Sequence, residues 1–230
     1  MTIGKTIGKV LVTGGARGLG AAVVEAIEKE GGRAVVLDRV PTGRDDDVCV
    51  DLADGRAAED AVRYASQQVG GFDAVVTCAG IDACGRLVDI AGDDWDRVIS
   101  VNLLGTAAVV RAALPDLVAR HGRVVTVAST LGLRALSDAT AYCASKFGVV
   151  GFTRALAAEL QGQVGVTMLV PGGMHTGFFD GRDEQYKPPP DARLNQPSDV
   201  AACVVFALSQ PDGCEVRELV VTPAVEGSWP

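Results

Sequence analysis

The chain has 230 residues, 48% of them hydrophobic, and carries a formal net charge of −8 with a sequence pI near 4.8. This length and apolar content suit a single domain over 1–230, and the acidic balance excludes a protein built to neutralise nucleic-acid phosphates. Neither the start from Met1 to Lys9 nor any later run shows the apolar continuity of a secretion signal or a membrane span, so a soluble, cytoplasmic protein without a membrane partner is expected.

In chain order, short β-branched runs alternate with longer alanine-rich amphipathic stretches, the pattern of a parallel sheet covered by helices on both faces. Strands are expected near Val10 to Thr13, Ala34 to Asp38, Val48 to Val50, Ala74 to Thr77, Val124 to Ala128, Val166 to Val170 and Leu219 to Val221. Helices are expected over Leu19 to Glu30, Gly55 to Val69, Trp95 to Arg120, Ala141 to Gln161 and Pro197 to Ser209. The stretch 177–196, with three consecutive prolines at Pro188, Pro189 and Pro190 and many charges, breaks the rhythm and reads as a surface excursion. The six cysteines form no Cys-x-x-Cys pair and have no ligand-like histidine spacing, which predicts buried free thiols and no metal site.

The first strand runs into Thr13-Gly14-Gly15-Ala16-Arg17-Gly18-Leu19-Gly20 and then a helix start. Glycines there let the backbone approach a pyrophosphate held by free N–H groups at the helix N-terminus, although a tight ligand-free turn has the same composition. Asp38, ending the second strand about 20 residues later, stands where ribose is recognised. A carboxylate at that point accepts hydrogen bonds from a free ribose and repels a 2′-phosphate, which favours NAD, while Arg17 and Arg39 leave NADP possible. Tyr142 and Lys146 lie four residues apart on one helix face, where an ammonium is expected to lower the phenol pKa from about 10 toward neutrality, although an inward-packed ring beside a solvated lysine has the same spacing. Ser129 ends a strongly apolar strand at the carboxyl edge, where open α/β sheets bind ligands; a strand-terminating turn residue is the alternative.

These motifs resemble the classical short-chain dehydrogenases/reductases over nearly the whole chain. The resemblance implies a single doubly wound, Rossmann-like α/β domain with seven parallel strands, and Tyr-x-x-x-Lys with a serine thirteen residues earlier is satisfied by Ser129, Tyr142 and Lys146. It implies a nicotinamide-dependent enzyme interconverting a secondary alcohol and a ketone. Tyr142 would be the general acid and base, Ser129 would position the carbonyl oxygen, Lys146 would also hold the nicotinamide ribose, and Asn102 would order a water in the proton relay. Gly14, Gly18 and Gly20 take the family's glycine positions in a loop that includes Arg17 and Leu19. Asp51 and Leu52 would meet the adenine, although Asp51 also reads as the N-cap of the next helix. Pro171, Gly172 and Thr176 match a Pro-Gly turn and a threonine that reaches the nicotinamide carboxamide. Ala79 and Gly80 keep the close-approach turn after the fourth strand, but Thr77-Cys78 replace the family's two asparagines, so cofactor placement is expected to rely on backbone groups. The segment 177–196 would be a substrate lid, with Phe178 and Phe179 presenting apolar surface to a small or medium-sized neutral alcohol or ketone, a solvated surface loop being the alternative. A homo-oligomer, a tetramer by resemblance, is expected through the helices after Trp95 and Ala141. His121 is read as a helix-ending residue and His175 as structural or incidental.

Overall fold

The structure, a computed structural model, describes residues 6–227. Seven parallel strands form one sheet: β1 (Lys9–Thr13), β2 (Arg33–Asp38), β3 (Val48–Cys49), β4 (Ala74–Thr77), β5 (Arg123–Val127), β6 (Gly165–Pro171) and β7 (Glu218–Val221). Their order is β3-β2-β1-β4-β5-β6-β7, so the winding reverses between β1 and β4 and opens a crevice at their carboxyl ends. The central strands are apolar at almost every position because both faces are covered. Helices α1 (Gly18–Lys29) and α6 (Pro197–Leu208) pack on one face. Helices α2 (Gly55–Val69), α4 (Thr106–Arg120) and α5 (Thr140–Glu159) pack on the other.

The helix expected from Trp95 begins earlier and is not uniform. Helix α3 (Gly92–Ile99) carries Asp93 and Asp94 in its first turn, where carboxylates complement the helix dipole. A π-helical turn (Ser100–Gly105) then joins α3 to α4. Such a turn re-aims side chains, and this one carries Asn102. The helical run Gly92–Arg120 is also long and apolar enough to cross a membrane, with mean hydropathy 1.6 over its best window, contrary to the expectation that no run would be. Half of that window is buried, and α4 packs against α2 in the core. His121 ends α4 in the left-handed region at φ 49°, as its place before Gly122 suggested.

The excursion 177–196 contains two short 3-10 turns, Gly177–Phe179 and Glu184–Tyr186. Its base is pinned: the Asn195 N–H donates to the Gly173 carbonyl at 3.0 Å, and the His175 N–H to the Asn195 carbonyl at 2.9 Å. All six cysteines are free, but only Cys143 is buried, and Cys49 and Cys214 are exposed because they lie in edge and turn segments.

Candidate active site

A cleft of about 1270 Å³ runs along the carboxyl edge of the sheet. That exceeds the usual small-molecule pocket of roughly 300–1,000 Å³ and gives room for a dinucleotide beside a substrate. Of the residues expected to be catalytic or to bind cofactor or substrate, all but Asn102 line it.

The glycine loop forms one wall. Gly14 adopts φ +71°, and a Cβ on it would stand 2.8 Å from the Ala79 backbone, so only glycine lets the loop pass this close to the turn after β4. Helix α1 starts at Gly18 with no side chain capping its first N–H groups and no acidic residue in its first turn. An open, uncontested helix N-terminus facing a cleft suits a pyrophosphate. Asp38 is held by the loop itself: Oδ2 accepts the Ala16 N–H at 3.0 Å and Oδ1 the Val40 N–H at 3.0 Å. These features fit a nicotinamide dinucleotide, whose pyrophosphate the helix N-terminus and whose ribose Asp38 would hold.

Asp51 is not a helix cap. Asp54 caps α2, accepting from the Arg56 and Ala57 N–H groups, because it directly precedes the first turn. The Asp51 carboxylate instead pairs with Arg97 at 2.6 Å, and that hydrogen bond holds its carboxyl below the usual range. Leu52 is buried under the π turn, where a Cβ on Gly105 would meet the Leu52 carbonyl at 2.7 Å. At the turn after β4 the Ala79 N–H donates to Thr13 Oγ1 at 3.2 Å, so backbone geometry positions this wall. The Thr77 hydroxyl is buried without a hydrogen-bond partner among the described residues, next to the position where the family's second amide is replaced by Cys78.

At the other end β5 delivers Ser129 and α5 delivers Tyr142 and Lys146. Ser129 Oγ accepts the Leu131 N–H at 3.1 Å, which leaves its proton free to donate, and its hydrogen bond to Tyr142 favours the ionised phenol. Lys146, 4% exposed, donates from Nζ to the Val127 carbonyl at 2.8 Å and stands 5.7 Å over the Tyr142 ring. Asn102 takes no part in lining the cleft. Its Oδ1 accepts the Ile81 N–H at 2.8 Å, and Nδ2 donates to the Ile81 carbonyl at 2.9 Å and to Ser145 Oγ at 3.0 Å. It therefore buttresses the β4 turn against α5 instead of bonding its own helix.

The expected lowering of the Tyr142 pKa is not what the site shows. Burial pushes the phenol up to about 12, against the opposing Ser129 hydrogen bond, and burial pulls Lys146 down to about 8. Helical spacing brought the two groups together, but it carries no information about the apolar wall that penalises both charged forms.

The substrate side holds residues that sequence reasoning missed. Thr176 Oγ1 accepts the Phe178 N–H at 3.3 Å and starts the turn that places Phe178 against Tyr142, ring centroids 5.6 Å apart. Arg182 lies over Phe178 and Phe179 and pairs with Asp82, which stands two residues after Gly80. Glu226, far along the chain, accepts the Gly173 N–H at 3.2 Å beside the Pro171-Gly172 turn. His175 is exposed and does not line the cleft.

Known proteins resemble the chain in sequence and in fold. An uncharacterised oxidoreductase of Staphylococcus aureus (strain MW2) is 30% identical over 226 residues, 93% of this chain and 96% of that protein. In fold, the chain is similar to the ligand-free aldohexose dehydrogenase of Thermoplasma acidophilum, with TM-score 0.83, 23% identity, and coverage of 93% of this chain and 92% of that one. It is equally similar to an alcohol dehydrogenase of Thermococcus sibiricus complexed with 5-hydroxy-NADP, with TM-score 0.83, 22% identity, and coverage of 93% and 95%. The profile of the short chain dehydrogenase family matches residues 8–187, and the chain belongs to that family of oxidoreductases.

Proposed function

We propose that the protein interconverts a secondary alcohol and a ketone using a nicotinamide dinucleotide, NAD in preference to NADP, with Tyr142 as the proton donor and acceptor. The observation that carries this reading is the convergence of Ser129, Tyr142 and Lys146 at one end of the cleft whose other end is the glycine loop and Asp38. The nicotinamide supplies the hydride chemistry. In the reductive direction Tyr142 gives its phenolic proton to the carbonyl oxygen as that oxygen gains charge, and the Ser129 hydroxyl donates a hydrogen bond to the same oxygen. Lys146, fixed by Val127, stands beside the phenol and would hold the nicotinamide ribose. Asp38, already oriented by two backbone N–H groups, supports the choice of NAD, while Arg17 and Arg39 on the same stretch of wall soften it. The segment 177–196 serves as a lid that orders further with substrate, and Phe178 and Phe179 supply its apolar face. Leu104 and Phe147, exposed on the π turn and α5, support association of these elements between subunits of a homotetramer.

The test is turnover of Tyr142→Phe against a panel of alcohols and ketones, followed at the nicotinamide absorbance. Loss of turnover by about 10²-fold or more with cofactor affinity kept is expected. Turnover like that of the unaltered chain would overturn the mechanism.

A further inference from the structure

We propose that Asp82 and Arg182 are positioning residues, an ion pair that latches the 177–196 loop to the body of the domain and holds Phe178 against the reacting tyrosine. The proposal rests on Tyr142 being the proton donor argued above.

The pair joins residues 100 positions apart, with Arg182 Nη2 2.8 Å from Asp82 Oδ2. It is well screened from water: the side chains are 15% and 8% exposed, where a charge pair is far stronger than on an open surface. Each partner is anchored on its own side. Asp82 Oδ1 accepts the Ala83 N–H at 2.7 Å, Oδ2 accepts from the Cys84 thiol at 3.2 Å, and the preceding Ile81 is gripped at both backbone groups by Asn102. Arg182 stacks 4.8 Å from the Phe178 centroid and 4.7 Å from that of Phe179, and Nη1 donates to the Tyr186 carbonyl at 3.3 Å. The two phenylalanines meet edge to face at 5.7 Å, and Phe178 packs on Tyr142. A continuous line of contacts therefore runs from Asn102 through Ile81, Asp82, Arg182 and Phe178 to Tyr142. Lysine in place of arginine would keep the charge but lose the planar fork that bonds Asp82 and covers two rings together.

The latch also places opposite charges beside the phenol. The Asp82 carboxylate opposes ionisation of Tyr142 and the Arg182 guanidinium favours it. Facing the same group are the Ser129 hydroxyl, Cys143 on its own helix and Lys146 beneath the ring, with Asp138 on the cleft wall. With the pair intact the two charges offset one another at Tyr142. Breaking it from either side unbalances them in opposite senses.

The experiment is a titration of the tyrosine ring carbons by NMR in the full chain, with and without NAD. The chain has three tyrosines, and Tyr142→Phe assigns the signal. Asp82→Asn should move the onset of the Tyr142 titration to lower pH and Arg182→Gln should move it to higher pH. Both should raise KM by about tenfold on the best substrate of the panel, because the aromatic wall is released. The neutral double variant should return the titration toward the original value while KM stays raised, and Arg182→Lys should keep the titration while raising KM. Single variants that move the titration the same way or not at all, or a double variant that restores KM, would overturn the latch. Full turnover by Tyr142→Phe would instead overturn the reading on which it rests.

Discussion

Asn102 donates from Nδ2 to Ser145 Oγ across 3.0 Å and so ties the π turn to the helix that carries Tyr142 and Lys146. Ser145 passes the tie on, donating to the Tyr142 carbonyl at 2.8 Å. Both residues are almost wholly buried, at 1% and 0% exposed, so their polar atoms depend on each other and on Ile81. The π turn thus does structural work for the active site: it swings Asn102 off its own helix and toward the β4 turn.

Asn102→Ala should therefore destabilise the fold by about 2–4 kcal/mol, because it removes the partner of the half-buried Ile81 N–H and carbonyl and of the buried Ser145 hydroxyl. Turnover should fall with it by about tenfold or more as Tyr142 and the β4 turn lose their common brace. Urea unfolding and steady-state rates check both, and unchanged stability would show that the Ile81 groups find other partners.

Lys146 gives a pH signature with a definite sign. Its pKa falls from 10.5 to about 8 on folding, so between those values the unfolded chain holds a proton that the folded chain has released. Lys146 by itself therefore contributes a rise in stability with pH across that window, of about 3 kcal/mol, because the folded chain no longer buries an ammonium, while Cys78 and Cys84, pushed up by burial from 9 to about 12, act in the opposite sense above pH 9. Tyr142, raised from 10 to about 12, acts in the opposite sense over its own window: the folded chain keeps its proton and stability falls as pH climbs from 10. Lys146→Met should abolish the rise between pH 8 and 10, read from urea midpoints. A rise of the same slope in that variant would assign it to another group.

Asp38→Ala should narrow the preference for NAD over NADP by about tenfold, since it removes the carboxylate that would repel a 2′-phosphate and leaves Arg17 and Arg39 in place. Catalytic efficiencies with both cofactors decide this. Equal efficiencies in the unaltered chain would reject the preference itself.

Leu104 is 56% exposed and Phe147 45% exposed, on elements whose other faces are buried. Replacing both with glutamate should convert a tetramer to smaller species by light scattering while leaving the monomer folded. A monomer at micromolar concentration before any substitution would remove the premise.

Much of the site was legible because its chemistry is local. The glycine loop, Asp38 at a strand end, and Tyr142 with Lys146 one helical turn apart are short-range patterns, and the crossover rules of parallel sheets bring strand ends to one edge whatever the loops do. The seven strands were legible for the same reason, since apolar β-branched runs between glycine turns leave few alternatives.

The doubly wound sheet, the glycine loop before α1 and the identity of most groups that line the cleft are written in local sequence. Tertiary structure alone decided how those groups behave. Asp54, and not Asp51, caps α2, because a cap is defined by where the helix begins and not by the presence of an acid nearby. The π turn interrupts a run whose apolar periodicity looked continuous, since the shift of one hydrogen-bond register has no compositional mark. Burial set the pKa values of Tyr142 and Lys146, and the surroundings of a side chain come from elements far along the chain. Asp82 and Arg182, 100 residues apart, met only when the loop folded back over the cleft. Backbone periodicity and turn chemistry are short-range and survive in the linear text, whereas desolvation and charge pairing are properties of the packed whole.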